Sequence, residues 1–323
     1  DKEIKSARLY ASAQGFYDAY INGEKVGEDF YNPGFTDYRL RIQYQTFDVT
    51  DMLRAGENMI GAIVGKGWFS GYCGYSGAMR YGEENTFIAQ LVINYDDGTQ
   101  DIIVTDDSWK YTDKGPVIDT DYLDGENYDA RLDFEGWGEP NYDDSAWVPC
   151  GVKEWPDEVK PTNGSLSEDV KFQLSAQVGP TAQIERELTP IAVVENPAGH
   201  YVYDFGQNMV GTIRLTVKGE EGTSLKIRYG EMSYQNGEIY IKNVRSAANT
   251  DTYTLKGDPN GETFIPSLTS HGFRYVEITG NGFDLDSNDI VVSIEGLVLC
   301  NVEEVTGGFE SSNELINKLQ SNI

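Results

Sequence analysis

The chain has 323 residues, and its 39% apolar and 12% aromatic content is enough to fill the cores of about two or three domains. With 25 basic against 53 acidic residues the formal charge is -28, which repels phosphate backbones and anionic membrane surfaces; nucleic acid is excluded as a partner, and a neutral sugar is a more comfortable ligand than an anionic one. No apolar run approaches the ~18 residues of a spanning helix, so no membrane insertion is expected, and Cys73, Cys150 and Cys300 form neither a CxxC zinc pattern nor a disulfide framework. The compartment stays open between cytoplasmic and secreted or periplasmic with a leader removed.

Short alternating segments rich in β-branched and aromatic residues predict strands at 9–12, 17–21, 46–49, 59–64, 87–95 and 100–104. Asn22-Gly23 and Asp97-Gly98 are hairpin-type dipeptides, because these residues tolerate the positive φ of tight turns. Regular spacing of this kind argues a two-sheet sandwich or jelly roll over residues 1–156. Residues 157–186, with Pro161, Asn163-Gly164 and Pro180, have no sustained period and read as a connector, part of which is expected to run as a strand over the first domain. Strands resume at 201–204, 211–217, 224–229, 251–255, 274–278 and 290–294, a second β-sandwich within 187–306.

The fold class is therefore all-β, two β-sandwich domains followed by the start of a helix at 307–323. Ser311 and Glu314 fit a capping box, and Leu315, Ile316, Leu319 and Ile323 recur at helical spacing. A lone helix of about 12 residues is marginal in water, so the stripe predicts further helical chain for it to pack against.

Chemistry-bearing motifs are thin. The chain has two histidines, His200 and His271, and no Gly-x-Ser-x-Gly elbow, Walker loop, HExxH or dinucleotide fingerprint. His271 precedes a strand, where a ring packed at a turn outweighs a catalytic role. Two stretches are richer. Residues 65–77 mix five glycines with Trp68, Phe69, Tyr72 and Tyr75, which suits either a loop that stacks aromatic faces on sugar rings or one whose aromatics cap the sandwich core. Residues 119–131 gather Asp119, Asp121, Asp124, Glu126 and Asp129, hard oxygen donors that could hold Ca²⁺, although acidic loops more often stay solvated or cap amides; Arg131 is the expected internal counter-ion.

Four ordered blocks carry a resemblance: Tyr203-Asp204-Phe205-Gly206-Gln207-Asn208-Met209-Val210-Gly211, Arg228-Tyr229-Gly230-Glu231-Met232, Asp251 to Gly257 and His271 to Glu277. They resemble the concanavalin-like β-sandwich of bacterial α-L-rhamnosidases, glycoside hydrolase family 78. Tyr20 to Gly23, Pro33 to Tyr38, Tyr44 to Thr50, Gly65 to Trp68 and Gly125 to Arg131 look like that family's amino-terminal jelly roll.

The resemblance implies a parent enzyme that hydrolyses terminal α-L-rhamnosides with inversion, using two carboxylates of a following (α/α)6 barrel. Its Asp-x-Pro-Gln-Arg pattern is not found here, so no catalytic residue is assigned and the chain alone is expected to be inactive. Similar jelly rolls in some relatives bind rhamnose, in cases through Ca²⁺. The implied partners are rhamnose-containing glycans and the helical barrel of the same chain, with no cofactor required. For sugar binding the candidates are Trp68, Tyr72, Tyr75 and Asp37, with Asn32 and Asn85 as polar partners. The competing reading is a free-standing carbohydrate-binding or adhesion protein with no catalytic domain.

Overall fold

The computed structural model describes residues 2–154, 172–281, 290–301 and 306–322. Most of the predicted connector, including Pro161 and Asn163-Gly164, and Ile323 of the predicted helix lie outside the described residues.

The first unit contains β1 (Ile4–Gln14), β2 (Phe16–Ile21), β3 (Arg41–Asp48), β4 (Ile60–Gly65), β5 (Thr86–Tyr95) and β6 (Gln100–Val104), with a one-turn helix α1 (Gly67–Ser70) after β4. β1 shows why this sequence forms a sheet: Ala7, Leu9, Ala11 and Ala13 are buried at every second place, the period of a strand with one face on a core. That face packs on Tyr17, Ala19 and Ile21 of β2, which pairs with β4 in a second sheet. The alanines leave room for the Tyr17 ring, whose hydroxyl lies 2.7 Å from Gln45 Oε1 and 3.0 Å from the Ala11 carbonyl, two acceptors for its one proton. The Asn22-Gly23 turn has φ of 51° and 83°, as its composition predicts.

A hairpin of β7 (Val117–Asp121) and β8 (Gly125–Asp129) follows, then β9 (Gln173–Ala176), which runs parallel to β3 at the edge of the first sheet, in order β9-β3-β1-β5-β6. The second unit has β10 (Gln183–Leu188), β11 (Ala192–Glu195), β12 (Tyr201–Val217), β13 (Ser224–Gly230), β14 (Thr250–Thr254), β15 (Glu262–Phe264), β16 (His271–Asn281) and β17 (Val291–Cys300). They form one large sheet in the order β10-β17-β12-β16-β13-β14-β8-β7, with β11 and β15 also on β12. Its core includes Ile213, Leu215, Leu225, Ile227, Tyr229, Phe273 and Ile278, each fully buried. Burial of that kind is worth about 1.5–3 kcal/mol per aliphatic or phenyl side chain.

Two expectations change. The acidic stretch 119–131, read as a loop, is mostly the β7–β8 hairpin, and β8 joins β14 of the second sheet in parallel, Asn127 opposite Thr252. Only Gly125 fits the crossing: its φ is +117°, and a Cβ there would lie 2.3 Å from the Thr250 carbonyl. The helix α2 (Glu314–Asn322) is present, but its cap is Asn313, whose Oδ1 accepts from the Leu315 amide at 3.0 Å. Ser311 instead bonds Asn317, closing the loop that leads in. Leu315, Ile316 and Leu319 are 80%, 45% and 58% exposed. Among the described residues no helix is long and apolar enough to cross a membrane.

Candidate functional site

The loops that leave β2 and β4 meet at one edge of the first sandwich. Trp68, raised on α1, packs on Phe16 at 4.7 Å, Tyr122 at 4.8 Å and Phe35 at 5.4 Å between ring centroids. Phe35 is 53% exposed, so the group is an aromatic shelf with a wet side. Behind it Tyr38 touches Phe69 and Tyr81 and closes a small core of its own. Asp37 sits on the same loop as Phe35, held in a fork by Arg39 Nε at 2.8 Å and by Nη2. The Arg39 hydrogen bonds keep its carboxyl below the usual range, so a fixed carboxylate flanks the shelf.

The other candidates divide. Tyr72 is half-exposed, its amide donating to Asp121 Oδ2 at 2.8 Å, and Tyr75 stands out at 89% exposure. Asn32 and Asn85 turn inward. The Asn32 carbonyl accepts from the Tyr17 amide, and Asn32 is buried. Asn85 donates to the carbonyls of Gln14 and Gly65 and accepts from Ser70, tying three loops together beneath the shelf. Asn85 holds the platform in shape, and Asn32 is buried away from solvent. Phe35 and Tyr122 complete the platform; both lie in stretches singled out in the sequence, Pro33 to Tyr38 and 119–131, but neither is among the sugar-binding candidates.

The five acidic residues considered for Ca²⁺ do not converge. Asp119 pairs with Lys66, and Asp129 is gripped by Arg131 at 2.7 and 2.9 Å. Asp121 accepts from the amides of Tyr72 and Leu123, and Asp124 from that of Ala248. Glu126 is buried with Oε2 on the amides of Leu268 and Ser267. Each carboxylate is satisfied by its own cation or amide along an extended hairpin, so the set is no oxygen cage, and among the described residues no group of three or more acidic, His or Cys side chains could hold a metal.

A buried polar seam lies where the hairpin meets the second sheet. The side chains of His271 and Asp251 are 0% exposed, with Nε2 3.0 Å from Asp251 Oδ1 and Nδ1 2.8 Å from Asn249 Oδ1. Asn249 Nδ2 donates to the Tyr229 carbonyl, so its oxygen faces the ring and both imidazole nitrogens are placed to donate. Asp251 also accepts from the Glu126 amide at 2.8 Å and from the Tyr229 hydroxyl, whose ring stacks on His271 at 3.9 Å. Burial, then the Asp251 charge, pushes the Glu126 carboxyl up to about 8. His271 therefore belongs to a sealed packing network, the outcome its position at a strand start suggested.

One cleft of ≈420 Å³ borders this seam, lined by Tyr20, Glu126, Asp133, Tyr253, Lys256 and Glu262 among others. Within it Glu262 takes Tyr253 Oη and the amides of Lys256, Gly257 and Asp258, Asp133 takes Tyr128 Oη and Lys256 Nζ, and Asp258 takes the Asn260 amide.

Comparison with known proteins identifies the two units. Residues 2–167 match the family described as alpha-L-rhamnosidase N-terminal domain, and residues 194–299 match the bacterial alpha-L-rhamnosidase concanavalin-like domain. The chain belongs to the α-L-rhamnosidase family. An alpha-L-rhamnosidase of Streptomyces avermitilis is 43% identical over 322 residues, 100% of this chain and 29% of its own length. The solved structure of the S. avermitilis enzyme, complexed with L-rhamnose, superposes with a TM-score of 0.87 at 42% identity, covering 99% of this chain and 29% of that one. The Aspergillus terreus α-L-rhamnosidase gives 0.88 at 37% identity, over 100% of this chain and 35% of that one. The chain thus spans about a third of the relatives it matches, and carries the amino-terminal and concanavalin-like rhamnosidase domains.

The rhamnosidase motif residues have structural work. In the 203–211 block Asp204 takes Arg274 Nε and Nη2 at 2.7 and 2.8 Å, and the strand bulges between Asp204 and Met209. The Arg274 hydrogen bonds hold the Asp204 carboxyl low. Phe205 and Met209 both lie in the core. The blocks at 251–257 and 271–277 contain Asp251 and His271 of the seam.

Proposed function

We propose that this chain is the non-catalytic part of an α-L-rhamnosidase, a two-sandwich scaffold that binds rhamnose-bearing glycan on the shelf of Phe35 and Trp68 beside Asp37. The observation that carries the reading is the exposed aromatic shelf, underpinned by the hydrogen bonds of Asn85. Aromatic faces next to a fixed acceptor suit a sugar ring, which offers C–H bonds on one face and hydroxyl donors at its edge.

Two measurements test it. The purified chain, incubated with an aryl α-L-rhamnoside, should release no aryl group above blank; turnover removed by a substitution within the chain would overturn the scaffold role. Titration with L-rhamnose in the millimolar range should shift amide resonances of the 31–39 and 66–85 loops, equally with and without EDTA. Absence of any shift in either condition would remove the sugar site.

A further inference from the structure

We propose that Arg245 and Tyr75, where a loop of the second unit meets the shelf loop of the first, form a subsite for an acidic sugar whose carboxylate or sulfate the guanidinium takes. This deepens the glycan-binding reading and rests on it.

The juxtaposition is built. Tyr75 lies in the turn Gly74–Ser76, and Arg245 follows the turn Lys242–Val244 of the second unit. The Arg245 guanidinium carbon is 5.0 Å from the Tyr75 ring centroid, yet Tyr75 remains 89% exposed. The 121–124 turn ties both loops down. Asp121 holds the Tyr72 amide, Asp124 holds that of Ala248, and the Leu123 carbonyl takes that of Asn249. Arg245 itself has φ +59°, a conformation a non-glycine residue adopts only when its surroundings impose it.

Charge marks the place as unusual. With 53 acidic residues in 323, acids recur about once in six, yet 71–82 and 239–250 contain none while holding Arg80, Lys242 and Arg245. The nearby hairpin acids are already neutralised or bonded: Asp119 by Lys66, Asp121 and Asp124 by amides. Arg8, Arg39, Arg54, Arg131, Arg214 and Arg274 each close on a carboxylate. Arg245, like Arg41, Arg80, Arg186 and Arg228, has no carboxylate within ion-pair distance among the described residues, and it rests on the face of Tyr75, a ring of the other unit. A guanidinium stacked on a ring keeps its in-plane N–H donors free, and that fork matches a carboxylate or sulfate bidentately. The overall charge of -28 makes a neutral sugar the general preference; the Arg245–Tyr75 pair is a local exception to it.

The test is calorimetric titration of the chain with a glucuronosyl-rhamnose disaccharide, its carboxyl-reduced neutral counterpart, and a rhamnose sulfate ester, at low salt. The uronate disaccharide should bind about 3- to 10-fold tighter than the reduced one. The advantage should shrink at about 0.5 M NaCl. R245Q should abolish the preference while keeping the neutral affinity and the urea midpoint, and R245K should restore only part of it. The sulfate ester, against neutral rhamnose, tells whether the subsite accepts both anions. Equal affinity for the acidic and reduced disaccharides, or a preference that survives R245Q, overturns the subsite and leaves the neutral sugar site standing. Failure of all three ligands to bind overturns both.

Discussion

Asp251 and Asp37 are both carboxylates bonded to a positively charged or donating neighbour, yet they serve opposite ends. Asp251 and His271 have 0% exposed side chains, and the amide of Glu126, the His271 ring and the Tyr229 hydroxyl between them engage both carboxylate oxygens. Asp37 and Arg39 are each 33% exposed, and beside them Phe35 keeps half of its surface in water. In the seam any unmatched polar atom would lack both water and partner, so the network is complete and fixes how the hairpin meets the second sheet. On the shelf, water still reaches the groups, and a ligand can take its place. Burial decides which residues hold the molecule together and which remain available.

The sharpest way to break the contrast is Asp251→Ala, which strips three donors of their acceptor. It should cost about 3–5 kcal/mol in urea unfolding, the range for breaking a buried pair. A loss within error of zero would mean that the seam does not join the units. Gly125→Ala should cost about 1–3 kcal/mol, from strain at positive φ and the clash with the Thr250 carbonyl.

A smaller effect is expected from pH. The folded Glu126 carboxyl, at about 8 against 4.5 for the free group, holds a proton that the unfolded chain releases, so its contribution is full below 4.5 and is lost as pH rises towards 8. Glu126→Gln mimics the protonated acid. Its urea midpoint should match the parent at acid pH and exceed it at alkaline pH; parallel curves would contradict the assignment. Smallest is Asp37→Asn, which removes a half-exposed ion pair and should move stability by no more than about 1 kcal/mol.

The strands were legible because their alternation is local: β1 buries every second residue, and Asn22-Gly23 names its own turn. The hairpin at 117–129 was not, since Asp119, Asp121, Asp124, Glu126 and Asp129 read as a solvated loop when their partners Lys66, Tyr72, Ala248 and Leu268 lie far along the chain. Trp68 was visible among glycines, whereas Phe35 and Tyr122 gain meaning only from the loops that bring them to it. The Ser311 capping box failed for a local reason: Asn313, two residues on, offers the Leu315 amide an acceptor of its own.

The most direct test of the binding shelf is titration of the parent chain and its Phe35→Ala variant with L-rhamnose, followed by amide resonances. Phe35 is exposed, so the variant should keep the parent's urea midpoint. The account predicts shifts confined to the 31–39 and 66–85 loops at millimolar sugar, lost or much weakened in the variant. Undiminished binding by a folded Phe35→Ala chain, or shifts located away from these loops, would contradict it.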